Sequence, residues 1–200
     1  MIEIEQVSFT YETAKSGATI RNINVRIPKG QIVLLCGESG SGKTTFSRLI
    51  NGLIPAYYDG DLNGRIMVSQ KDTSKVELHE LAPFVGSVFQ NPKSQFYTLL
   101  TDTEIVFACE NIGMEKTDIL CRFDSTVNSL HIEKLLGKSL FALSGGEKQK
   151  IACASVNALM PDVFVLDEPT SNLDIGTIRD LQEILLSWKA QGKTVIIAEH

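Results

Sequence analysis

The segment QIVLLCGESGSGKTT constrains the fold of this chain more than any other: an apolar run is followed by a glycine-rich loop. Residues 37–44 satisfy the spacing G-x-x-x-x-G-K-[ST], in which backbone N–H groups surround phosphate oxygens. Glycines suit the loop because a Cβ would obstruct either its curl or the ligand. Lys43 would contact the β- and γ-phosphates, and the Thr44 hydroxyl would ligate Mg²⁺ at a helix N-terminus. The segment therefore predicts a strand, a phosphate-binding loop and a helix, against the alternative of a glycine-rich turn with an exposed lysine.

A second segment, DVFVLDEPTSNLD at residues 162–174, supplies the carboxylates that a phosphate loop needs. Its apolar run places Asp167 at the carboxyl end of a strand, where ligands bind in open α/β sheets. Asp167 would hold Mg²⁺ directly or through water, and Glu168 would polarise the water that attacks the γ-phosphate. The alternative is a turn after a core strand. Together the two segments predict NTP hydrolysis or phosphoryl transfer.

Composition narrows the class of protein. Hydrophobic residues make up 43% and charged residues 22%, close to the soluble globular average, and the net charge of −5 argues against a nucleic-acid binder. The apolar runs have strand length rather than the length of a membrane helix. The acidic start is unlike a secretory signal and predicts a cytosolic chain. The four cysteines form no CxxC pair, which predicts reduced thiols rather than a zinc site.

Periodicity predicts one α/β domain with an antiparallel β lip, a mixed core sheet and an inserted helical subdomain. The core would comprise residues 1–97 and 143–200, and the helical subdomain about 98–142. Strand-like segments are IEIEQVSFTY, TIRNINVRI, QIVLLC, GRIMVS, FVGSVFQ, DVFVLD and TVIIAE. Helical segments are 43–51, 102–112, 117–136, 145–159 and 175–189.

The stretch LSGGEKQK, residues 143–150, adds a second helix N-terminus with bare N–H groups and a hydroxyl. One nucleotide does not need two such sites from one chain, unless the second serves a nucleotide bound to another molecule. With this stretch the sequence resembles the ABC ATPase family, whose domains enclose two ATP molecules between the phosphate loop of one subunit and the LSGG signature of the other. The resemblance covers essentially the whole chain.

The resemblance implies a P-loop fold, ATP and Mg²⁺ as ligands, and a second ATPase domain as partner, whether an identical chain, a paralogue or a fused half. It assigns nucleotide binding to Tyr11, Gly37, Glu38, Ser39, Gly40, Ser41, Gly42, Lys43, Thr44 and Thr45. Metal binding is assigned to Thr44, Gln90 and Asp167, and catalysis to Lys43, Gln90, Glu168 and His200. Contact with the partner's ATP is assigned to Ser144, Gly145, Gly146 and Glu147, and Asp174 belongs to the D-loop, Ser171-Asn172-Leu173-Asp174.

Each weaker assignment has an alternative. By the resemblance Tyr11 would stack on the adenine base, but it follows Phe9 with period-two alternation and also fits a strand aromatic that covers the lip. Gln90 fits a loop amide at a strand end. Asp174 fits an N-cap for the next helix, and it can serve both roles. His200 fits either a frayed end or a γ-phosphate sensor, and its position after the strand TVIIAE favours the sensor.

A narrower resemblance lies in VFQNPKSQFYTLLTDTEIVFACEN, residues 88–111. It is similar to the ATPases of energy-coupling-factor importers, especially those with two fused ATPase domains. That resemblance implies a peripheral subunit on the cytoplasmic face of the membrane, with a transmembrane coupling protein and a substrate-capture protein as partners, driving uptake of a vitamin or a transition metal. Phe96, Tyr97 and the apolar face around Ile105 are candidates to line the groove for coupling helices; ordinary packing of the insert is the alternative.

The sequence departs from the family pattern at Ile175 and Lys150, which keep the size or the charge of the usual residue. Leu100-Thr101 also departs from it and slightly weakens the resemblance to the energy-coupling-factor group. The larger departure is at the end, because family domains continue past the switch histidine with further strands and helices. We expect the chain to be part of a longer polypeptide, and we expect His200 to be poorly held in isolation.

Three other functions compete with an importer ATPase. A non-transport ABC ATPase of DNA repair or translation is disfavoured by the short insert and the acidic charge. A regulatory module that binds ATP without turnover is disfavoured by Glu168, which pure binding does not need. A small-molecule kinase leaves LSGGEKQK unexplained.

Overall fold

The computed structural model describes residues 1–13, 19–171 and 173–200. Its strands are β1 (Ile2–Tyr11), β2 (Ile20–Ile27), β3 (Ile32–Cys36), β4 (Gly60–Val68), β5 (Lys71–Asp72), β6 (Val85–Val88), β7 (Val163–Asp167) and β8 (Thr194–Glu199). Its helices are α1 (Lys43–Ile50), α2 (Leu53–Ala56), α3 (Leu78–Leu81), α4 (Thr101–Asn111), α5 (Lys116–Leu130), α6 (Gly145–Asn157) and α7 (Ile175–Ala190).

The described strands form two four-stranded sheets. One has the order β2-β1-β4-β5 with antiparallel pairs, and it is the predicted lip. The other has the order β3-β8-β7-β6 with parallel pairs throughout, so the core sheet has one strand direction where the sequence predicted a mixed sheet. Parallel sheets are buried on both faces, which explains why the predicted core strands are continuous apolar runs.

The core sheet is covered on both faces. On one face Phe164 of β7 stacks on Trp188 of α7, with ring centroids 3.7 Å apart. The Trp188 indole donates to the Asn157 side chain at 2.7 Å, and the Asn157 amide donates to the Thr126 hydroxyl of α5 at 3.1 Å. This buried chain joins the inserted helices to the core because each polar group finds a partner.

Element boundaries differ from the sequence prediction at several places. Strand β4 begins at Gly60, four residues before GRIMVS. Helix α5 ends at Leu130 because His131 adopts a left-handed conformation with φ of 52°. The short elements α2, α3 and β5 were not predicted, since segments of two to four residues show no periodicity. None of the helices in the described ranges is both long and apolar enough to cross a bilayer.

Gly86 on β6 is required by packing. A Cβ there would clash with Val156 Cγ1 of α6 and lie 3.0 Å from Pro161 Cγ. We expect Gly86→Ala to lower the free energy of unfolding by about 1–3 kcal/mol, measured by urea denaturation. Adding Val156→Ala removes the clashing methyl and should restore part of the loss. Equal instability of the single and double variants would contradict this packing argument.

Candidate nucleotide site

The phosphate loop connects β3 to α1, as predicted. Gly40 and Gly42 have φ values of 81° and 96°, a left-handed conformation that glycine adopts without strain. A Cβ on Gly37 would lie 2.7 Å from Ser41 Oγ, inside van der Waals contact. The backbone curl therefore depends on glycine at all three positions, which explains their spacing in the sequence.

Lys43 lies across this loop. Its Nζ donates to the carbonyl oxygens of Gly37 at 2.6 Å and Glu38 at 3.0 Å. A cleft of about 170 Å³ opens beside it, lined by Thr19, the loop and Glu168. A cation, a helix N-terminus and loop N–H groups face one small cleft, and this combination suits an anion with several phosphates. Loop members around this cleft are Ser39, Gly40, Gly42, Lys43, Thr44 and Thr45.

Thr44 and Asp167 meet at the carboxyl end of β7. The Thr44 hydroxyl donates to Asp167 Oδ1 at 3.2 Å. Burial raises the pKa of Asp167, an effect that the Thr44 hydrogen bond partly opposes. In octahedral Mg²⁺ coordination with metal–oxygen distances near 2.0–2.1 Å, neighbouring oxygens lie roughly 2.9 Å apart. The two hard oxygen donors therefore fit adjacent Mg²⁺ positions after a small shift, and a bound cation would favour the charged form of Asp167.

Glu168 sits between two side chains from distant segments. Its Oε2 accepts from Gln90 Nε2 at 2.6 Å, and its Oε1 lies 2.8 Å from His200 Nε2. Its φ of 46° is uncommon outside glycine, and its N–H donates to the Ala198 carbonyl at 2.8 Å. The Glu168 side chain is 17% exposed, so its carboxylate is fixed beside the loop cleft.

The same contacts locate Gln90 and His200. Gln90 donates to Glu168, the neighbour of Asp167, and its role as a metal ligand stays a prediction. The His200 side chain is 54% exposed, yet its Nε2 contacts Glu168, so the expectation of a poorly held histidine is met only in its exposure. Glu199 beside it accepts from the Thr170 N–H at 3.1 Å and ties the end of β8 to the segment after β7.

Tyr11 lies at the end of β1 against α1. Its hydroxyl is 3.1 Å from Thr45 Oγ1 and accepts from Arg48 at 3.0 Å. Its ring packs edge-on against Phe9 and Tyr58, with centroids 4.7 and 6.1 Å apart. The structure thus packs Tyr11 within the lip and brings its hydroxyl to Thr45 at the start of α1, while its contact with the nucleotide stays a prediction.

The signature segment forms the N-terminus of α6. The Ser144 hydroxyl accepts from the Glu147 N–H at 3.3 Å, and the Glu147 carboxylate accepts from the Ser144 N–H at 2.8 Å, forming a capping box. These bonds with Ser144 lower the pKa of Glu147. A Cβ on Gly145 would meet nothing within 4 Å, whereas one on Gly146 would clash with Thr177 of α7. The exposed Ser144-Gly145 step is therefore open to a group outside the chain.

The D-loop is described in part. Asp174 caps α7: it accepts from the Thr177 N–H at 3.0 Å and from the Thr177 hydroxyl at 2.8 Å, which confirms the N-cap interpretation. Asn172 lies outside the described residues.

A larger cleft of about 670 Å³ adjoins the nucleotide site, since Thr44 and Asp167 line it together with Arg48. Tyr97 lines it and is 77% exposed, as predicted for a groove residue. Phe96 is only partly buried and packs against the insert core. Ile105 is fully buried, so its assignment to the groove lining was wrong: it faces the interior of the insert. Ordinary packing accounts for Ile105.

Arg48 is a site residue that the sequence analysis missed. It lies one helical turn after Thr44 and Thr45 on α1, bonds to Tyr11 and stacks 3.9 Å above the centre of the Tyr58 ring. The i, i+4 spacing from Thr44 was the available signal, since residues three or four apart share a helix face. Nothing in the sequence alone places Tyr11 against that face.

Comparison with known proteins gives consistent results. The family model described as ABC transporter matches residues 20–171. A Treponema denticola protein named as an ABC transporter ATP-binding protein is 48% identical over the whole chain, and a Pyrococcus abyssi protein of the same description is 39% identical. The chain spans 41% of the length of the first of these relatives and 71% of the second.

Solved structures agree. The structure of cbiO1 from Clostridium perfringens, described as part of the ABC transporter complex cbiONQ, superposes with a TM-score of 0.86 at 28% identity, covering 100% of this chain and 78% of that one. The ATP-binding cassette MJ0796, a dimer bound to ADP and Pi, has a TM-score of 0.83 at 24% identity, covering 100% and 88%, and supports the fold alone. The chain belongs to the ABC transporter family and has the P-loop fold of its ATPase domains.

Proposed function

We propose that the protein binds MgATP and hydrolyses it to drive an importer of the energy-coupling-factor class. The observation that carries the hydrolytic part is the convergence at one sheet edge: the Thr44–Asp167 pair, the Lys43 cation and the Glu168 carboxylate surround the same region. Pure nucleotide binding explains the first two groups. The fixed carboxylate of Glu168 is the group that only hydrolysis requires.

The chemistry of each side chain determines its role in the proposed reaction. Loop N–H groups and Lys43 bind the phosphates, and Thr44 and Asp167 would hold Mg²⁺. When bound, Mg²⁺ neutralises charge on the β- and γ-phosphate oxygens. Glu168 accepts a proton from the attacking water at Oε2, the oxygen to which Gln90 donates in the structure. His200, which contacts the other oxygen of Glu168, donates a hydrogen bond to the γ-phosphate. Gln90 must release Glu168 for that water to bind.

Two copies would form the complete site. The open Ser144-Gly145 step at the α6 N-terminus would contact the γ-phosphate bound to the other copy, with Glu147 holding the cap and Asp174 lying beside the interface. The partner is a second ATPase domain of the same kind. The MJ0796 structure, which has the same fold, is a dimer bound to ADP and Pi.

The importer class is supported by two observations. The cbiO1 structure belongs to an ABC transporter complex and resembles this chain over its full length. Tyr97 and Phe89 line the 670 Å³ cleft and are exposed, which suits an apolar coupling helix of a transmembrane partner. The proposal includes a location on the cytoplasmic face of the membrane, as a peripheral subunit that works with a coupling protein and a substrate-capture protein.

A complementation assay tests the hydrolytic dimer. Gly145→Asp adds a negative charge at the step that would face the partner's phosphate, and its side chain has open space within its own chain. We expect Gly145→Asp and Lys43→Met each to abolish phosphate release from MgATP. An equimolar mixture should recover up to about a quarter of the wild-type sites, because each mixed dimer keeps one intact site of two.

Three results would be decisive. Recovery in the mixture supports the head-to-tail dimer of identical copies. An active wild type with no recovery contradicts it. A wild type that binds MgATP without releasing phosphate contradicts hydrolysis and favours a regulatory module. The importer class is tested separately: co-purification with nucleic acid rather than with membranes would contradict it.

A further inference from the structure

Behind the phosphate loop, three side chains form a hydrogen-bonded chain that the proposed reaction does not use. Arg48 donates from Nη1 to the Tyr11 hydroxyl at 3.0 Å, and that hydroxyl lies 3.1 Å from Thr45 Oγ1. Thr45 is 5% exposed and lines the cleft that would hold phosphate. These hydrogen bonds therefore link Arg48, one helical turn further along α1, to the ligand cleft through Tyr11.

The chemistry of Arg48 determines the direction of these hydrogen bonds. A guanidinium has only donors, so the Tyr11 oxygen must accept from it. The Tyr11 hydrogen is then available to Thr45 Oγ1, which accepts it. Across the described ranges, Tyr11 is the hydrogen-bond partner found for Thr45 Oγ1, so the Thr45 hydrogen has no acceptor within those ranges and can point into the cleft.

Packing holds the guanidinium at the start of this chain. Its central carbon lies 3.9 Å from the centre of the Tyr58 ring, a cation–π stack that uses the flat face of Arg48 and leaves its edge N–H groups free. The Tyr11 ring is fixed in turn by edge contacts with Phe9 and Tyr58. Both members behind Thr45 are therefore restricted in rotation before any ligand arrives, which lowers the entropy lost on binding.

We propose that Arg48 and Tyr11 orient the Thr45 hydroxyl as a hydrogen-bond donor to a phosphate oxygen of the bound nucleotide. Without Arg48, the Tyr11–Thr45 bond can reverse, and in the reversed form Thr45 turns its lone pairs toward an anion. Arg48 and Tyr11 are positioning residues here, and Tyr11 gains a role that does not involve the base. The inference rests on the proposed binding of MgATP at this loop.

Two ligands separate this role from base stacking: MgATP and magnesium tripolyphosphate, which lacks the base. Their dissociation constants are measured by calorimetry on the full chain. We expect Arg48→Met to weaken both ligands by the same factor, about threefold to tenfold, which is the net effect of one hydrogen bond. Tyr11→Phe keeps the ring and removes the hydroxyl, and it should weaken tripolyphosphate by a similar factor.

The double variant gives the sharpest readout. If Arg48 acts through Tyr11, adding Arg48→Met to Tyr11→Phe should cause no further loss of tripolyphosphate affinity. A merely structural role for Arg48 would lower affinity in both backgrounds equally, and that result overturns the proposal. Unchanged tripolyphosphate affinity in Tyr11→Phe also overturns it, and this small change decides the matter even if Arg48→Met does not fold.

Matched controls use exposed residues of the same types. Arg179→Met on α7 and Tyr57→Phe, whose side chain is 73% exposed, should leave both dissociation constants unchanged. A wild type that binds neither ligand would overturn the proposed function together with the inference. A wild type that binds both, with unaffected Arg48 and Tyr11 variants, would overturn the inference alone.

Discussion

Glu168→Gln is expected to slow ATP turnover by about a hundredfold to ten-thousandfold while MgATP affinity stays within about threefold. The amide keeps the size of the side chain and an oxygen that Gln90 or His200 can contact, but it cannot accept a proton from water. Phosphate release under saturating MgATP measures turnover, and calorimetry measures affinity. Because binding persists while hydrolysis stops, the dimer that encloses ATP should also accumulate, and size-exclusion chromatography would detect it.

The matched control is Glu183→Gln, the same chemical change on the exposed face of α7. It removes one negative charge without touching the site, so turnover should equal that of the wild type. Equal turnover in wild type and Glu168→Gln would show that another group accepts the proton. A loss of affinity as large as the loss of turnover would assign Glu168 to binding rather than to chemistry.

Lys43→Met is expected to weaken MgATP binding by about tenfold to a hundredfold, since it removes charge-assisted hydrogen bonds to phosphate. Lys43 Nζ bonds to the carbonyls of Gly37 and Glu38, and because this loop lies at the surface, water can replace the ammonium at both oxygens. The ligand-free unfolding temperature should therefore change little. The measurement is the rise in that temperature with MgATP, which falls as affinity falls.

Lys189→Met on the exposed end of α7 is the control for this experiment and should show the wild-type thermal shift. A full MgATP-induced shift in Lys43→Met would contradict the assignment of Lys43 to the phosphates. A large drop in ligand-free stability would instead indicate that the bonds to Gly37 and Glu38 hold the loop together.

The sequence predicted much of the fold because its signals are local. The apolar runs before Gly37 and before Asp167 are strands β3 and β7, and the loop–helix step at Lys43 follows from glycine spacing. The TVIIAE segment is likewise a strand, β8, and the parallel β7–β8 register places it beside the Asp167 strand. Parallel strands share a carboxyl edge, so this adjacency brings His200 near Glu168.

Other predictions failed where the decision depends on packing. Ile105 belongs to an apolar face of α4, but periodicity cannot tell which face meets the groove, and the residue is buried inside the insert. The prediction for α5 ran past Leu130 because the apolar spacing continues, whereas the backbone turns at His131. One apolar pattern is compatible with more than one orientation of a helix and more than one helix end, and packing against the surrounding residues decides between them.

By itself, the sequence determined the phosphate loop, its acidic partner and the signature helix, because each needs particular residue types within a few positions of one another. Only the tertiary structure decided which distant side chains meet: Gln90 and His200 on the two oxygens of Glu168, and Arg48 behind Tyr11 and Thr45. These contacts join residues 32 to 78 positions apart. Their geometry depends on how the sheets and helices pack together, which no local pattern specifies.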